Sequence, residues 1–165
     1  MNPKPTLTIM CGVPGLGKDW QIEHNDYFTN LRNNVVSRDK IRFSMIGEND
    51  DYFSHEMQVF KEFVRQIASG LAEGKDMVAN ATHIYEAGRS KLLNAIDQYN
   101  VEYDIVYFVL LGSVDTALRQ NSMREGLANV PEEAIRRMAG SFTKPSFDED
   151  ERIKHIWIQY VKEEN

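Results

Sequence analysis

The apolar run Leu7-Thr8-Ile9-Met10-Cys11 is followed at once by Gly12-Val13-Pro14-Gly15-Leu16-Gly17-Lys18, and then by Trp20-Gln21-Ile22-Glu23, which can open a helix. A strand, a tight glycine-bearing loop ending in lysine, and a helix constrain the fold more than any other feature of the chain. The glycines let backbone N–H groups close around an anion, and the lysine ammonium reaches the outer phosphates of a nucleotide. The helix contributes the positive end of its dipole. The competing reading is a glycine-rich turn between strand and helix with no ligand, and the strand-loop-helix context that the motif requires weighs against it. One residue is unusual. Asp19 follows the lysine where such loops normally carry serine or threonine, whose hydroxyl holds Mg²⁺. A carboxylate there is either an uncommon metal ligand or a sign of lost activity.

Composition limits the alternatives. A chain of 165 residues is long enough for one domain with a real core and too short for two of ordinary size, so residues 1–165 are read as one domain. Hydrophobic residues at 42% and charged residues at 27% fit a soluble globular protein. Cys11 is the only cysteine, which excludes a disulfide within the chain and fits a reducing compartment. The polar start Met1-Asn2-Pro3-Lys4-Pro5 lacks the apolar stretch of a secretory signal. The apolar run Ile105 to Leu111 falls far short of the roughly 20 residues that span a membrane. A cytoplasmic protein with no membrane contact is expected, in the host cytoplasm if it is phage-encoded. The net charge of −6 argues against coating nucleic acid with the whole surface, yet it allows a local basic groove.

Strand and helix patterns alternate to the end of the chain, which predicts an α/β fold of the P-loop NTPase type. Five strands, mostly parallel, are expected with helices on both faces. The predicted strands are Leu7–Cys11, Asn34–Ser37, Asp76–Ala79, Val101–Leu111 and His155–Gln159. The predicted helices are Asp19–Phe28, Asp39–Met45, a longer one from about Phe53 to Ala72, Ala87–Tyr99 and Ser113–Arg124. In the longer helix Met57, Phe60, Phe63, Val64, Ile67 and Leu71 recur at helical spacing and are expected to face the core. Pro131-Glu132-Glu133 resembles a further helix start, so approximately residues 119–137 form a short arginine-bearing lid. The acidic run Asp148-Glu149-Asp150-Glu151 reads as a solvated surface, and Trp20 as core rather than an adenine platform.

Phosphoryl transfer needs positioning, charge neutralisation and often a base for the attacking group. After the second strand, Asp39 lies among Arg38, Lys40 and Arg42, at the carboxyl ends of the strands where ligands of parallel sheets gather. It can take a proton from an acceptor hydroxyl or cap the helix, and the two roles are compatible. Arg42, one turn on, is either a clamp on the acceptor or half of a surface ion pair. Asn80 ends the third strand where an acidic residue often orders the Mg²⁺ shell. Beside Asp19, it suggests that the carboxylate has moved from strand end to loop, with Asp19 ligating Mg²⁺ and Asn80 bonding to metal-bound water. Arg119 and Arg124 flank the lid and can close over nucleotide or remain solvated. The four histidines show no metal-ligand spacing.

These segments together resemble the 5′-hydroxyl polynucleotide kinase domain of bacteriophage end-healing enzymes, within the group of small P-loop kinases that includes zeta toxins. The resemblance runs from the first strand to about Met138. It rests on Gly12–Lys18, on Ser37-Arg38-Asp39-Lys40-Ile41-Arg42, on Asn80-Ala81-Thr82-His83 followed by Arg89, and on Gln120-Asn121-Ser122-Met123-Arg124 followed by Val130-Pro131. It implies an ATP- and Mg²⁺-dependent kinase acting on the 5′-hydroxyl of a DNA or RNA end. In that reading Gly12, Val13, Pro14, Gly15, Leu16, Gly17, Lys18 and Asp19 hold the nucleotide, with Arg119 assisting. Lys18 binds the β and γ phosphates, Asp39 is the general base, and Arg38, Arg42 and Thr82 contact the acceptor. Arg124 is the lid arginine acting on the donor phosphates. The chain departs from the family at Asp19, at Asn80 and at Gln120, where the first lid arginine is expected. Arg119 comes one position early, a rotation of about 100° on a helix. The phosphatase domain that often follows in phage enzymes is not expected. The basic cluster Arg32, Arg38, Lys40 and Arg42 would receive the acceptor backbone. A kinase for a nucleoside, sugar or other small metabolite is the first alternative, and a nucleotide-binding module without transfer activity is the second.

Overall fold

In the computed structural model, the described residues are 3–126 and 129–162. Leu127 and Ala128 of the expected lid, and Met1 and Asn2 of the polar start, lie outside them. Five parallel strands form one sheet in the order β2-β3-β1-β4-β5. They are β1 (Thr6–Cys11), β2 (Val35–Ser37), β3 (Met77–Asn80), β4 (Asp104–Leu111) and β5 (Ile153–Tyr160). Between them run α1 (Lys18–His24), α2 (Arg38–Met45), α3 (Glu56–Ala72), α4 (Glu86–Asp97), α5 (Val114–Ser122) and α6 (Glu132–Gly140). The α/β P-loop fold and its five strands follow the sequence pattern.

The alternation along β1 explains the layers. Leu7, Ile9 and Cys11 point to one face and pack with Phe63, Ile67 and Leu71 of α3 and with Leu92 and Ile96 of α4. Met10 points to the other and meets Leu16, Ile22, Ala117 and Ile135, from the loop and from α1, α5 and α6. A period of two along the strand thus divides the core in two. Both faces of β4 are covered as well, which is why Ile105 to Leu110 is continuously apolar. The chain moves outward from β1 to β2, returns through β3 and crosses to β4, so β1 sits centrally between strands reached in opposite directions. The crevice at its carboxyl end is where open parallel sheets bind ligands. No helix of the described residues is long and apolar enough to cross a membrane.

Several local expectations change. The first helix stops at His24 rather than Phe28, because the Asn25 side chain accepts from the Tyr27 backbone N–H and starts a separate 3₁₀ turn at Asp26–Phe28. The fourth strand begins at Asp104, three residues late. Met57 is 85% exposed, since the first turn of α3 precedes the stretch that covers the sheet. Trp20 is also solvent-facing rather than core, its ring stacked on His24 at 4.6 Å. The acidic run is not merely solvated. Glu149 pairs with Arg89, whose side chain is only 1% exposed, and Asp150 pairs with Arg152.

Candidate active site

The glycine loop leaves β1 under tight constraint. Gly12 N–H donates to the Thr82 carbonyl at 2.8 Å, and the Cys11 thiol donates to the His83 carbonyl at 3.1 Å, so loop and β3 end are fastened together. Gly15 and Gly17 both have φ near 93°, where a side chain is strained. A Cβ on Gly15 would also lie 2.2 Å from the Ala117 carbonyl oxygen, so α5 presses directly on the loop. Lys18 opens α1 and donates to the Gly12 and Val13 carbonyls at 2.8 and 3.1 Å. Its ammonium thereby spans the loop it is expected to serve. Burial, reinforced by the nearby Arg124, pulls its pKa down to about 8, against the opposing pull of Asp39 and Asp19.

Ser37, not Asp39, caps α2: its hydroxyl accepts from Lys40 N–H at 3.2 Å. Asp39 lies inside the first turn, which frees its carboxylate from capping. Its Oδ1 accepts from the Tyr52 hydroxyl at 2.6 Å and also from Arg42. Arg42 is buried, 5% exposed, rather than a surface partner. It donates to Glu56 through Nε and Nη2 at 2.7 and 3.1 Å, and its guanidinium lies over the Tyr52 ring at 4.4 Å. Arg38 donates to the same Glu56 at 2.9 Å. Burial would raise the Glu56 pKa, but the hydrogen bonds and charges of Arg42 and Arg38 outweigh it and hold the carboxyl below its ordinary value. Two arginines therefore meet two carboxylates. That balance leaves less bare positive charge than the sequence suggested. Arg32 binds the Ile22 carbonyl at 2.8 Å, and neither it nor Lys40 lines the cavity.

Asn80 and Asp19 come together across the crevice, the Asn80 amide donating to Asp19 Oδ1 at 2.7 Å. Among the described residues no cluster of three His, Cys, Asp or Glu side chains surrounds a metal-sized space. A Mg²⁺ ion characteristically takes one or two protein oxygens and completes its shell with phosphates and water, and the exposed Asp19 carboxylate beside Lys18 fits that donor set. Asp19 would hold the ion, with Asn80 fixing the carboxylate. The ion would supply charge neutralisation of the β and γ phosphates.

A cavity of about 330 Å³ joins these parts. Lys18, Asp19 and Pro14 form one wall, Arg38, Asp39, Arg42 and Glu56 another, Asn80, Thr82 and His83 the floor, and Arg124 reaches it from beyond α5. Four aromatic side chains, Tyr52, Phe53, Phe60 and Tyr85, also line it. Arg119 is exposed on α5 and is not among the lining residues. Asn121, in the segment expected to form a lid, is buried: its amide donates to the Val130 carbonyl at 2.8 Å and its Oδ1 accepts from Val130 N–H at 3.0 Å. Tyr52 and Glu56 had no sequence signal beyond ordinary turn or helix positions, because each acts on a residue from another element; Asn121 stood in the Gln120-Asn121-Ser122-Met123-Arg124 motif, but with no role assigned to it.

A family model described as an AAA domain, of the AAA_33 group, matches residues 7–145. The chain belongs to this AAA-domain family. The match spans β1 through α6 and includes every residue placed around the cavity. Solved structures similar to this AAA-domain chain include a sugar kinase from Janibacter sp. HTCC2649, with 13% identity over 98% of this chain and 88% of that one and a TM-score of 0.65. Chaetomium thermophilum Kti12, solved in complex with ADP-AlF3, gives 10% identity over 93% and 88% with a TM-score of 0.67. A Deinococcus radiodurans tunicamycin resistance protein gives 16% identity over 94% and 86% with a TM-score of 0.54. At such identities the likeness is one of fold.

Proposed function

We propose that this AAA-domain protein is an ATP- and Mg²⁺-dependent kinase that transfers the γ-phosphate to the 5′-hydroxyl of a nucleic acid end. The observation that carries this reading is that Lys18 and Asp39, from different strand ends, face one cavity bordered by four aromatic side chains. Aromatic faces stack bases without demanding a particular sequence. The acceptor oxygen attacks the γ-phosphorus, the bond to the β–γ bridging oxygen breaks, and ADP leaves. Asp39 takes the hydroxyl proton at Oδ2, since Tyr52 and Arg42 both donate to Oδ1. Lys18 and Arg124 balance the charge on the phosphates.

The small cavity and the neutralised Arg38, Arg42, Asp39 and Glu56 cluster favour a second reading, a compact uncharged hydroxyl acceptor. Incubation with Mg²⁺, γ-labelled ATP and a 5′-hydroxyl oligonucleotide, in parallel with nucleosides and sugars, separates the two. Label on the oligonucleotide that Asp39→Ala and Lys18→Met both abolish supports the first. Label only on small acceptors selects the second, and tight ATP binding without transfer to any acceptor rejects both.

A further inference from the structure

The ordinary role of Glu56, an acidic residue in the first turn of α3, is a favourable contact with the helix dipole. Its carboxylate is nonetheless turned to α2. Oε1 accepts from Arg42 Nε at 2.7 Å, and Oε2 accepts from Arg42 Nη2 at 3.1 Å and from Arg38 Nη2 at 2.9 Å. Against the upward push of burial, the two arginines hold the carboxyl below its ordinary value, so it is ionised at neutral pH. A two-pronged contact of this kind fixes the plane of a guanidinium. With the Nε–Nη2 edge on Glu56, only Nη1 faces Asp39, where it donates to Oδ1 and, at 2.9 Å, to the Tyr52 hydroxyl. The Tyr52 and Phe53 rings lie 4.4 and 5.7 Å from the guanidinium carbon.

Arg42 is 5% exposed, and four of its five N–H groups are engaged inside the protein. It lines the cavity without a free edge to offer an acceptor. Asp39 differs: its side chain is 46% exposed, and no donor among the described residues reaches Oδ2. Without Glu56 the pair has another solution. Asp39 and Arg42 are one helical turn apart, and an arginine beside a lone carboxylate takes both oxygens through two parallel hydrogen bonds. That pairing would occupy Oδ2, the oxygen that must receive the acceptor proton.

We infer that Glu56 is a positioning residue for the transfer step: by occupying the Nε–Nη2 edge of Arg42 it confines that arginine to one oxygen of Asp39 and keeps Oδ2 open to the acceptor hydroxyl. This rests on the reading of Asp39 as the base of a kinase. It also changes the part expected of Arg42, which supports the base instead of clamping the acceptor.

The test uses Glu56→Gln, whose amide puts a donor where the arginines need an acceptor, and the double variant Glu56→Gln with Arg42→Met, on whichever acceptor the wild type labels. Glu56→Gln is expected to lower kcat about tenfold to a hundredfold, with acceptor KM and nucleotide affinity nearly unchanged. Adding Arg42→Met frees Oδ2 and should recover part of the lost kcat, a reversal that a merely structural role for Glu56 does not produce. A further loss in the double variant overturns the inference, as does a raised acceptor KM at unchanged kcat in Glu56→Gln or no change in either constant. The Arg42 Nε–H of wild type is followed separately by NMR with a non-hydrolysable ATP analogue. It should stay protected from solvent exchange before and after acceptor is added, and rapid exchange in either state overturns the inference even where a variant fails to fold. Should the wild type label no acceptor, the kinase reading falls by itself, while the Nε–H exchange still decides whether Glu56 confines Arg42.

Discussion

Asn80 donates its side-chain amide to Asp19 at 2.7 Å, joining two positions 61 residues apart at the edge of the phosphate loop. The amide holds a carboxylate at the position where a hydroxyl is usual, and the usual strand-end carboxylate is missing. The two residues are therefore expected to act as one unit. Asp19→Ser alone should lower transfer about tenfold rather than improve it, because Asn80 cannot replace the lost charge. Asp19→Ser with Asn80→Asp should regain most of that loss. Mg²⁺ titrations of kcat/KM check both, and a clear gain from Asp19→Ser alone sinks the idea of a rearranged shell.

The double contact to Asp39 Oδ1 sets up a graded pair of variants. Asp39→Asn removes the proton acceptor and should cut kcat by about 10²–10⁴-fold. Tyr52→Phe removes one donor to that carboxylate, leaves Arg42 in place and should cost about tenfold in kcat with little change in KM for ATP. Steady-state rates compared with nucleotide affinities from calorimetry show whether the loss is confined to the transfer step. Equal rates for wild type and Asp39→Asn would remove Asp39 from the role of base.

Lys18 makes nucleotide binding depend on pH. Its pKa near 8 lies below the ordinary lysine value of about 10.4. Across that window the unfolded chain holds a proton that the native chain lacks, so the Lys18 contribution makes folding stability rise with pH. Nucleotide phosphates draw the proton back, so binding above pH 8 takes up a proton and affinity falls, by up to about tenfold per pH unit. Calorimetry in buffers of different ionisation enthalpy measures this uptake directly. Lys18→Met should bind weakly at every pH and show no such uptake.

The Arg89–Glu149 pair holds the floor from beneath. Arg89 Nε and Nη2 each meet a Glu149 oxygen at 2.9 Å, and Nη1 donates to the carbonyls of His83 and Thr143 at 3.0 and 2.9 Å. Removing one member of a buried pair strands the other, so Arg89→Met should destabilise the protein by roughly 3–5 kcal/mol and lower Tm by about 10 °C. Arg89→Met with Glu149→Leu should recover part of the loss, which denaturant titration of the three variants measures. Additive losses would show that the pair is not coupled.

Short-range pattern was enough for much of this protein. Alternating apolar residues mark the strands, and the glycines and lysine after Cys11 mark the loop, because backbone geometry and burial depend on neighbours a few residues away. The same reasoning failed at Trp20 and Met57, since an apolar side chain does not disclose whether another element reaches far enough to cover it. It also named Asp39 without its supports. Tyr52 and Glu56 reach that carboxylate and Arg42 only because α2 and α3 pack side by side.

By itself the sequence determined the class of fold, the order of its elements and the place of the phosphate loop, all written in local periodicity and glycine spacing. Only the tertiary structure decided that Asn80 meets Asp19, that Glu56 neutralises the two arginines, and that Arg124 rather than Arg119 reaches the cavity. Polar partners far apart in the chain impose no repeat on the residues between them, so they become visible only when folding brings their atoms within hydrogen-bond distance.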